Sequence, residues 1–238
     1  MKLKLITLAI TSLVTLNTLA ATIDYRHEFK DTSNGDHKDR LLFSHRFEQG
    51  FGLSVEARWG QHTNDKTPNK PFNESVSNGT EVVASYLYNF NKTFSLEPGF
   101  SLDSTSNYNN YRPYLRGKAN ITNDLSVSLR YRPYYKRNSN NIGTSSKTSE
   151  NGYNLTSVIA YNFLKDYTLE YELDYQKANA ARIKLSDNDN YSFGHDVKLS
   201  YKWDKNWRPF VAVGNVPESS GITDNRQTRY RVGVQYSF

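Results

Sequence analysis

The chain contains no cysteine, which excludes a disulfide framework, a thiol nucleophile and a thiolate metal site. It also lacks a helix-length membrane span. Its longest apolar run, Leu5 to Leu16, is roughly a dozen residues, where a spanning helix needs about 20. Histidine is sparse, with five copies. These are His27, His37, His45, His62 and His195, at spacings that form no metal signature, and no phosphate-binding loop is present. A strong charge bias is missing as well, since 30 basic against 24 acidic residues leave +6. No clustered basic tract supports nucleic-acid binding.

What is present is aromatic and alternating. Tyrosine occurs 18 times and phenylalanine 12 times in 238 residues, a length that favours one domain. A hydrophobic fraction of 37% with mean hydropathy −0.75 is wrong for a helical membrane protein. It suits a barrel, whose strands show lipid only every second side chain. Lys2 and Lys4, the apolar run and the small residues at Thr18-Leu19-Ala20 read as a signal peptide over 1–20. Removing two lysines lowers the charge to about +4, by 6 − 2.

One pattern recurs five times: a large residue, three turn formers and another large residue. The copies are Phe47-Glu-Gln-Gly-Phe51, Phe90-Asn-Lys-Thr-Phe94, Ile121-Thr-Asn-Asp-Leu125, Phe163-Leu-Lys-Asp-Tyr167 and Trp203-Asp-Lys-Asn-Trp207. Each joins two alternating stretches, as an aromatic girdle at a membrane interface would. The chain ends on the alternating strand Tyr230 to Phe238, whose aromatic last residue resembles the assembly signal of bacterial outer-membrane barrels. The barrel-assembly machinery and outer-membrane lipid are therefore expected partners.

Alternation predicts an all-β fold over 21–238, a twelve-stranded antiparallel transmembrane β-barrel with short periplasmic turns and longer extracellular loops. The strands fall at roughly 21–29, 38–47, 51–60, 80–90, 94–104, 111–121, 125–136, 153–163, 167–177, 191–203, 207–216 and 227–238. Loops fill the intervals near 30–37, 61–79, 105–110, 137–152, 178–190 and 217–226. Pro98, Pro113, Pro133 and Pro209 each remove a ladder donor and are expected near strand ends or bulges. A β-sandwich would need an apolar core, and the polar faces here are too densely charged to supply one.

Parity sorts each strand into a lipid face and a lumen face. Strands twelve and one to three send Arg229, Arg231, Arg26, Arg40, Arg46 and Arg58 inward. Strands six and seven send Arg112, Arg116, Lys118, Arg130, Arg132 and Lys136, nearly opposite in a ring of twelve. Lys198 and Lys202 on strand ten add a smaller basic element. Between the walls lie Glu81, Glu97, Asp103, Glu170, Glu172 and Asp174, while Asp24, Glu28 and Glu56 share the basic side. Charges inside a small barrel often only neutralise one another, but such filling favours alternating signs on adjacent strands. Segregated guanidinium rows suit a flexible polyanion carrying carboxylates at intervals. A tilt near 40° puts the backbone at a radius of roughly 12 Å and the bore on the order of 10 Å, room for one sugar chain. Tyr114, Tyr134 and Phe210 also point inward, with packing as their main expected role.

Several segments carry a family resemblance: Asp24-Tyr25-Arg26-His27-Glu28, the run from His37 to Leu41, Lys66-Thr-Pro-Asn-Lys-Pro-Phe72 and Asn78-Gly-Thr-Glu-Val-Val-Ala-Ser85. Tyr111-Arg-Pro-Tyr-Leu-Arg116 and Gln227-Thr-Arg-Tyr-Arg231 complete it. Together they resemble the oligogalacturonate-specific monomeric porins of plant-associated enterobacteria, from the signal peptide to Phe238. The resemblance implies a monomeric twelve-stranded channel for acidic oligosaccharides from pectin breakdown, with two facing arginine tracks and no cofactor. A related branch passes sialic acid, so a general or sialic-acid-type anion porin is the alternative.

From other classes come a barrel enzyme and an adhesin. His37 with Asp36 and Asp39 is the best acid–base cluster, yet nothing near it forms a nucleophile–base–orienter set. The modest loops carry no aromatic cluster for adhesion. Ser186-Asp-Asn-Asp-Asn190 reads as a solvated loop rather than a Ca²⁺ site.

Overall fold

The computed structural model describes residues 21–31, 36–61, 72, 75–139, 148–218 and 223–238. The expected signal peptide, His62 and half of the 137–152 loop lie outside the described residues.

Twelve antiparallel strands follow one another: β1 (Thr22–Lys30), β2 (Asp36–Arg46), β3 (Phe51–Gln61), β4 (Ser75–Tyr86, resuming as Tyr88–Asn89), β5 (Phe94–Ser104) and β6 (Tyr108–Asn120). They continue as β7 (Leu125–Asn138), β8 (Ser149–Phe163), β9 (Tyr167–Ala178), β10 (Tyr191–Tyr201), β11 (Trp207–Pro217) and β12 (Arg226–Ser237). Each pairs with its chain neighbours, and β1 pairs with β12 from Thr22↔Ser237 to Lys30↔Arg229, so the sheet closes on itself. Closure removes the edges that an open sheet would expose. At the short-turn end Phe238 N–H donates to Ala21 C=O at 3.0 Å, tying the two chain ends together.

The five turns show why their sequences repeat. In four of them the first large residue donates its N–H to the carbonyl of the second: Phe47 to Phe51, Phe90 to Phe94, Ile121 to Leu125 and Trp203 to Trp207, at 2.8–3.1 Å. Asn91, Thr122 and Asp204 then accept from the backbone N–H groups two and three residues on. This is the local bonding for which Asx and Ser/Thr residues are favoured in turns. The Trp207 and Asn206 N–H groups hold the Asp204 carboxyl below the usual range. The other two turns need left-handed backbone instead, at Gly50 (φ 93°) and at Leu164 and Lys165 (φ 49° and 67°). A Cβ on Gly50 would meet the Leu87 carbonyl oxygen at 2.5 Å.

The barrel is inside-out relative to a soluble domain. Among the described residues only four buried residues are hydrophobic, against fourteen that are polar or charged. Val211, Val213, Tyr230 and Val232 face outward and exposed. This is the opposite of a sandwich core. A second aromatic band rings the loop end, where Tyr131, Tyr153, Tyr175 and Tyr191 follow one another on β7 to β10 with ring centroids 5.7–6.2 Å apart.

Turn-end strand boundaries match the alternation closely, and loop-end boundaries run longer. β4 begins at Ser75 rather than 80, β6 at Tyr108 rather than 111, and β8 at Ser149 rather than 153. Apart from Val76 and Tyr108 these extensions are polar on both faces, so hydrophobic alternation does not mark them. β4 also carries a bulge, because the register shifts between Ala57↔Thr80 and Trp59↔Ser77. Gly79 takes φ 103° there, and a Cβ on it would meet the Ser104 carbonyl oxygen at 2.7 Å.

Three of the four prolines are not near strand ends. Pro98, Pro113 and Pro133 lie within β5, β6 and β7, and Pro209 is the third residue of β11. Pro113 and Pro133 fall at the same level of the β6–β7 ladder, which stops at Tyr111↔Tyr135 and resumes at Leu115↔Tyr131. Two prolines set opposite each other confine their missing donors to one break.

Candidate functional site: the charged lumen

Parity places the inward charges, and side-chain reach decides their partners. On the first wall, Arg26, Arg40 and Arg58 are in direct register across β1, β2 and β3. Arg40 pairs with Asp24 and with Glu56 at 3.5 Å, and Arg26 lies 3.9 Å from Glu28. Arg229 and Arg231 on β12 converge on Asp196 of β10, Arg231 at 2.6 Å.

The two basic walls are joined on their narrow side. Only β4 and β5 separate β3 from β6, and each acid there takes an arginine from more than one strand. Glu97 accepts Arg46 of β2 at 3.0 Å and Arg116 of β6 at 2.6 Å. Asp103 accepts Arg58 of β3 and Arg112 of β6, the latter at 3.6 Å. Glu81 takes Arg112 at 2.6 Å and Arg132 of β7 at 4.0 Å. The preference for alternating signs on adjacent strands, expected of neutralisation, does not govern these pairs. Arg58 crosses one intervening strand to reach Asp103, roughly 10 Å at a spacing of ~4.8 Å, and Arg46 crosses two to reach Glu97.

Farther round the ring the cations are less engaged. Arg130 Nη2 donates to Thr156 Oγ1 at 3.1 Å, and Thr156 donates on to Asp174 at 2.6 Å. Lys118 faces Ser95 and Ser128 across its two ladders, with no carboxylate at either position. Arg116 keeps 44% of its side chain exposed despite holding Glu97. Lys136 pairs with Glu150 at 3.3 Å and lies over the Tyr108 ring, and Lys198 pairs with Glu170 beside Phe210.

Lys202 departs from its expected place. β10 ends at Tyr201, so Lys202 sits in the turn at the rim rather than on the wall. Asp196, Lys30 and Arg208 escaped the sequence reading although they share the inward parity of Lys198, Arg26 and Phe210. The same count along the strand identifies all three.

The inward aromatics pack over glycines of the next strand. Tyr114 faces Gly99, Tyr134 faces Gly152 and Phe210 faces Gly233 in register. A Cβ on any of those glycines would meet ring atoms of the facing residue within 2.8 Å. The rings fill the missing side-chain volume, as aromatic residues do across strand glycines. Tyr114 also donates to Glu97 at 2.8 Å, fixing that carboxylate between its two arginines.

The best acid–base cluster lies outside this lumen. His37 and Asp39 belong to β2, not to a loop, and share the outward face with His27. Asp39 accepts from Tyr25 at 2.7 Å and contacts His27 Nδ1 at 2.9 Å, while His27 Nε2 meets His37 Nδ1 at 3.0 Å. The one hydroxyl in the chain of contacts is committed to the carboxylate.

The family description "Oligogalacturonate-specific porin protein (KdgM)" matches residues 14–238. The chain belongs to this porin family. It is 67% identical, over all of both chains, to the oligogalacturonate-specific porin KdgM of Dickeya dadantii. Solved KdgM porin structures share 56% identity and a TM-score of 0.68 over 91% of this chain and 99% of theirs, one in complex with disordered oligogalacturonate. The NanC porin, at 18% identity, shares the fold with a TM-score of 0.75 over 91% of this chain and all of its own. The porin is thus an outer-membrane, multi-pass channel and not an enzyme, with its short turns periplasmic and its longer loops extracellular.

Proposed function

We propose that this porin is monomeric and passes oligogalacturonates, acidic oligosaccharides from pectin breakdown, by passive diffusion along its lumenal cations. The observation that carries the substrate is the 67% identity over both complete chains to an oligogalacturonate-specific porin. Support for a single-chain pore comes from a sheet closed by its own first and last strands. Residues 1–20 act as a Sec-type signal peptide, and the strand ending at Phe238 engages the barrel-assembly machinery.

The pairing pattern supplies a mechanism. Arg130, Lys118 and the exposed part of Arg116 offer first contacts to a uronate carboxylate. Arg26, Arg40, Arg46, Arg58, Arg112, Arg132, Arg229 and Arg231 reach the ligand by exchanging a built-in acid for a substrate carboxylate. Lys136 and Lys198 do the same from Glu150 and Glu170, and Lys202 gathers anions at the periplasmic rim. Each exchange replaces one charge-assisted bond with another, so no site holds the sugar tightly, as conduction requires.

Single-channel current in a planar bilayer tests this while trigalacturonate is titrated onto one side. Concentration-dependent block, with neutral maltotriose silent, is the expected outcome. A steady anion current indifferent to trigalacturonate would leave a general or sialic-acid-type anion porin.

A further inference from the structure

A second polar feature lies on the opposite surface of the wall, where the ladder between β10 and β11 runs only from His195↔Asn215 to Ser200↔Phe210. β10 continues to Tyr191 and β11 to Pro217, so their extracellular ends are left unpaired with each other. Arg226 of β12 spans that break. Its Nε donates to Asn215 Oδ1 at 2.7 Å, Nη2 to the Asn215 carbonyl at 3.0 Å and Nη1 to the Phe193 carbonyl at 2.8 Å. Its guanidinium also lies 4.7 Å from the Phe193 ring centroid. These three bonds leave one N–H on each terminal nitrogen uncommitted among the described residues.

Directly toward the membrane centre from Asn215 is a cavity of about 260 Å³, lined by His195, Val197, Val213, Asn215 and Thr228 on the outward parity. Val197 and Val213, half exposed, form its floor, and the strip continues over Val211 and Val232. Its upper rim is polar. There the Tyr171 hydroxyl lies 2.7 Å from His195 Nδ1, and Asn215, in register with His195, carries Arg226 on its side chain and carbonyl. The groove is cationic at the membrane surface and apolar below.

We infer that this groove seats a phosphate-bearing lipid of the outer leaflet, with the phosphate on Arg226 and an acyl chain along Val197, Val213 and Val211. A guanidinium matches phosphate geometry through paired N–H donors, and basic pockets at membrane protein surfaces take anionic headgroups. A soluble anion would gain nothing from the valine floor, and a neutral lipid nothing from Arg226. The lipid would also cover a break in the barrel wall that protein hydrogen bonds alone do not close.

Native mass spectrometry of the detergent-purified barrel tests the proposal with bisphosphorylated lipid A, dephosphorylated lipid A of the same acyl chains, and excess inorganic phosphate. The bisphosphorylated form should be retained about fivefold better, the effect of one basic residue at an anionic surface. Arg226→Gln should abolish that preference. Val213→Trp, which leaves the guanidinium in place and fills the groove, should reduce retention of both lipids. Heat-modifiable gel mobility reports whether each variant is folded; if Arg226→Gln fails to fold, Val213→Trp decides alone. Equal retention of the two lipids by the wild type, unchanged lipid retention in folded Val213→Trp, or displacement of the lipid by inorganic phosphate would each overturn the inference.

Discussion

Between β3 and β6 every inward arginine is held by a carboxylate that another arginine shares, whereas among the described residues Arg130 of β7 meets only a hydroxyl and Lys118 of β6 faces two serines. The two regions carry the same kind of charge and differ in what already occupies it. A wall rich in arginine is therefore not uniformly a binding wall. Its shared acids stitch the barrel across a strand, and its uncommitted cations set the field a passing anion meets first. The stitched side resists change because removing one acid strands both arginines that share it.

The largest expected effect comes from reversing both regions at once. Arg112, Arg116, Arg130 and Arg132 changed together to Glu should abolish anion preference, read as the reversal potential in a KCl gradient. Three of the four reversals set new carboxylates against Glu81, Glu97 and Asp103, so lower thermal stability should accompany the loss. Unchanged selectivity would refute a basic-wall channel altogether. The next effect separates the regions. Arg130→Gln with Lys118→Gln should weaken trigalacturonate block about tenfold, the equivalent of about 1.4 kcal/mol, and leave the melting temperature in place. Equal losses from substitutions on the stitched side would erase the distinction.

A smaller change of opposite sign is expected from Glu97→Gln. Freed of that charge, Arg46 and Arg116 become available to the ligand, and block should strengthen roughly threefold. Raising ionic strength from about 0.1 to 1 M shortens the Debye length from ~10 to ~3 Å. Block through exposed Lys118 should fade in that range, while the buried Glu97 and Asp103 stitches persist.

The five turns were legible because each demand of a tight turn falls on one residue: Asn91, Thr122 and Asp204 for backbone N–H groups, and Gly50 for a left-handed φ. Facing was legible because parity needs only alternation, and Arg26, Arg40 and Arg58 follow it strand after strand. Three things were not. Ser149-Glu-Asn-Gly152 is polar on both faces, so nothing in the pattern distinguishes a strand extending beyond the apolar band from a loop. The Arg58–Asp103 pair joins β3 to β5 across β4, and Arg46–Glu97 joins β2 to β5 across two strands, distances that depend on arginine's length and on barrel curvature. Adjacent-strand reasoning sees neither. Phe193 and Arg226 lie far apart in the chain, and their contact appears only where a ladder stops short.

The finest test of the comparison concerns the one partner Arg130 has among the described residues. Thr156 accepts from Arg130 and donates to Asp174, so the threonine relays a carboxylate's pull to the cation without neutralising it. Thr156→Val keeps the shape and removes both bonds. Arg130 then loses its anchor while Asp174 loses its donor, and two effects on the ligand oppose each other. A freer guanidinium reaches farther into the lumen, but it also pays more side-chain entropy on binding, about 0.5–1.5 kcal/mol for an immobilised long side chain. The net change in trigalacturonate block should stay within about threefold. A tenfold loss in Thr156→Val would show that the hydroxyl positions Arg130 for the sugar and that the open side is as constructed as the stitched one.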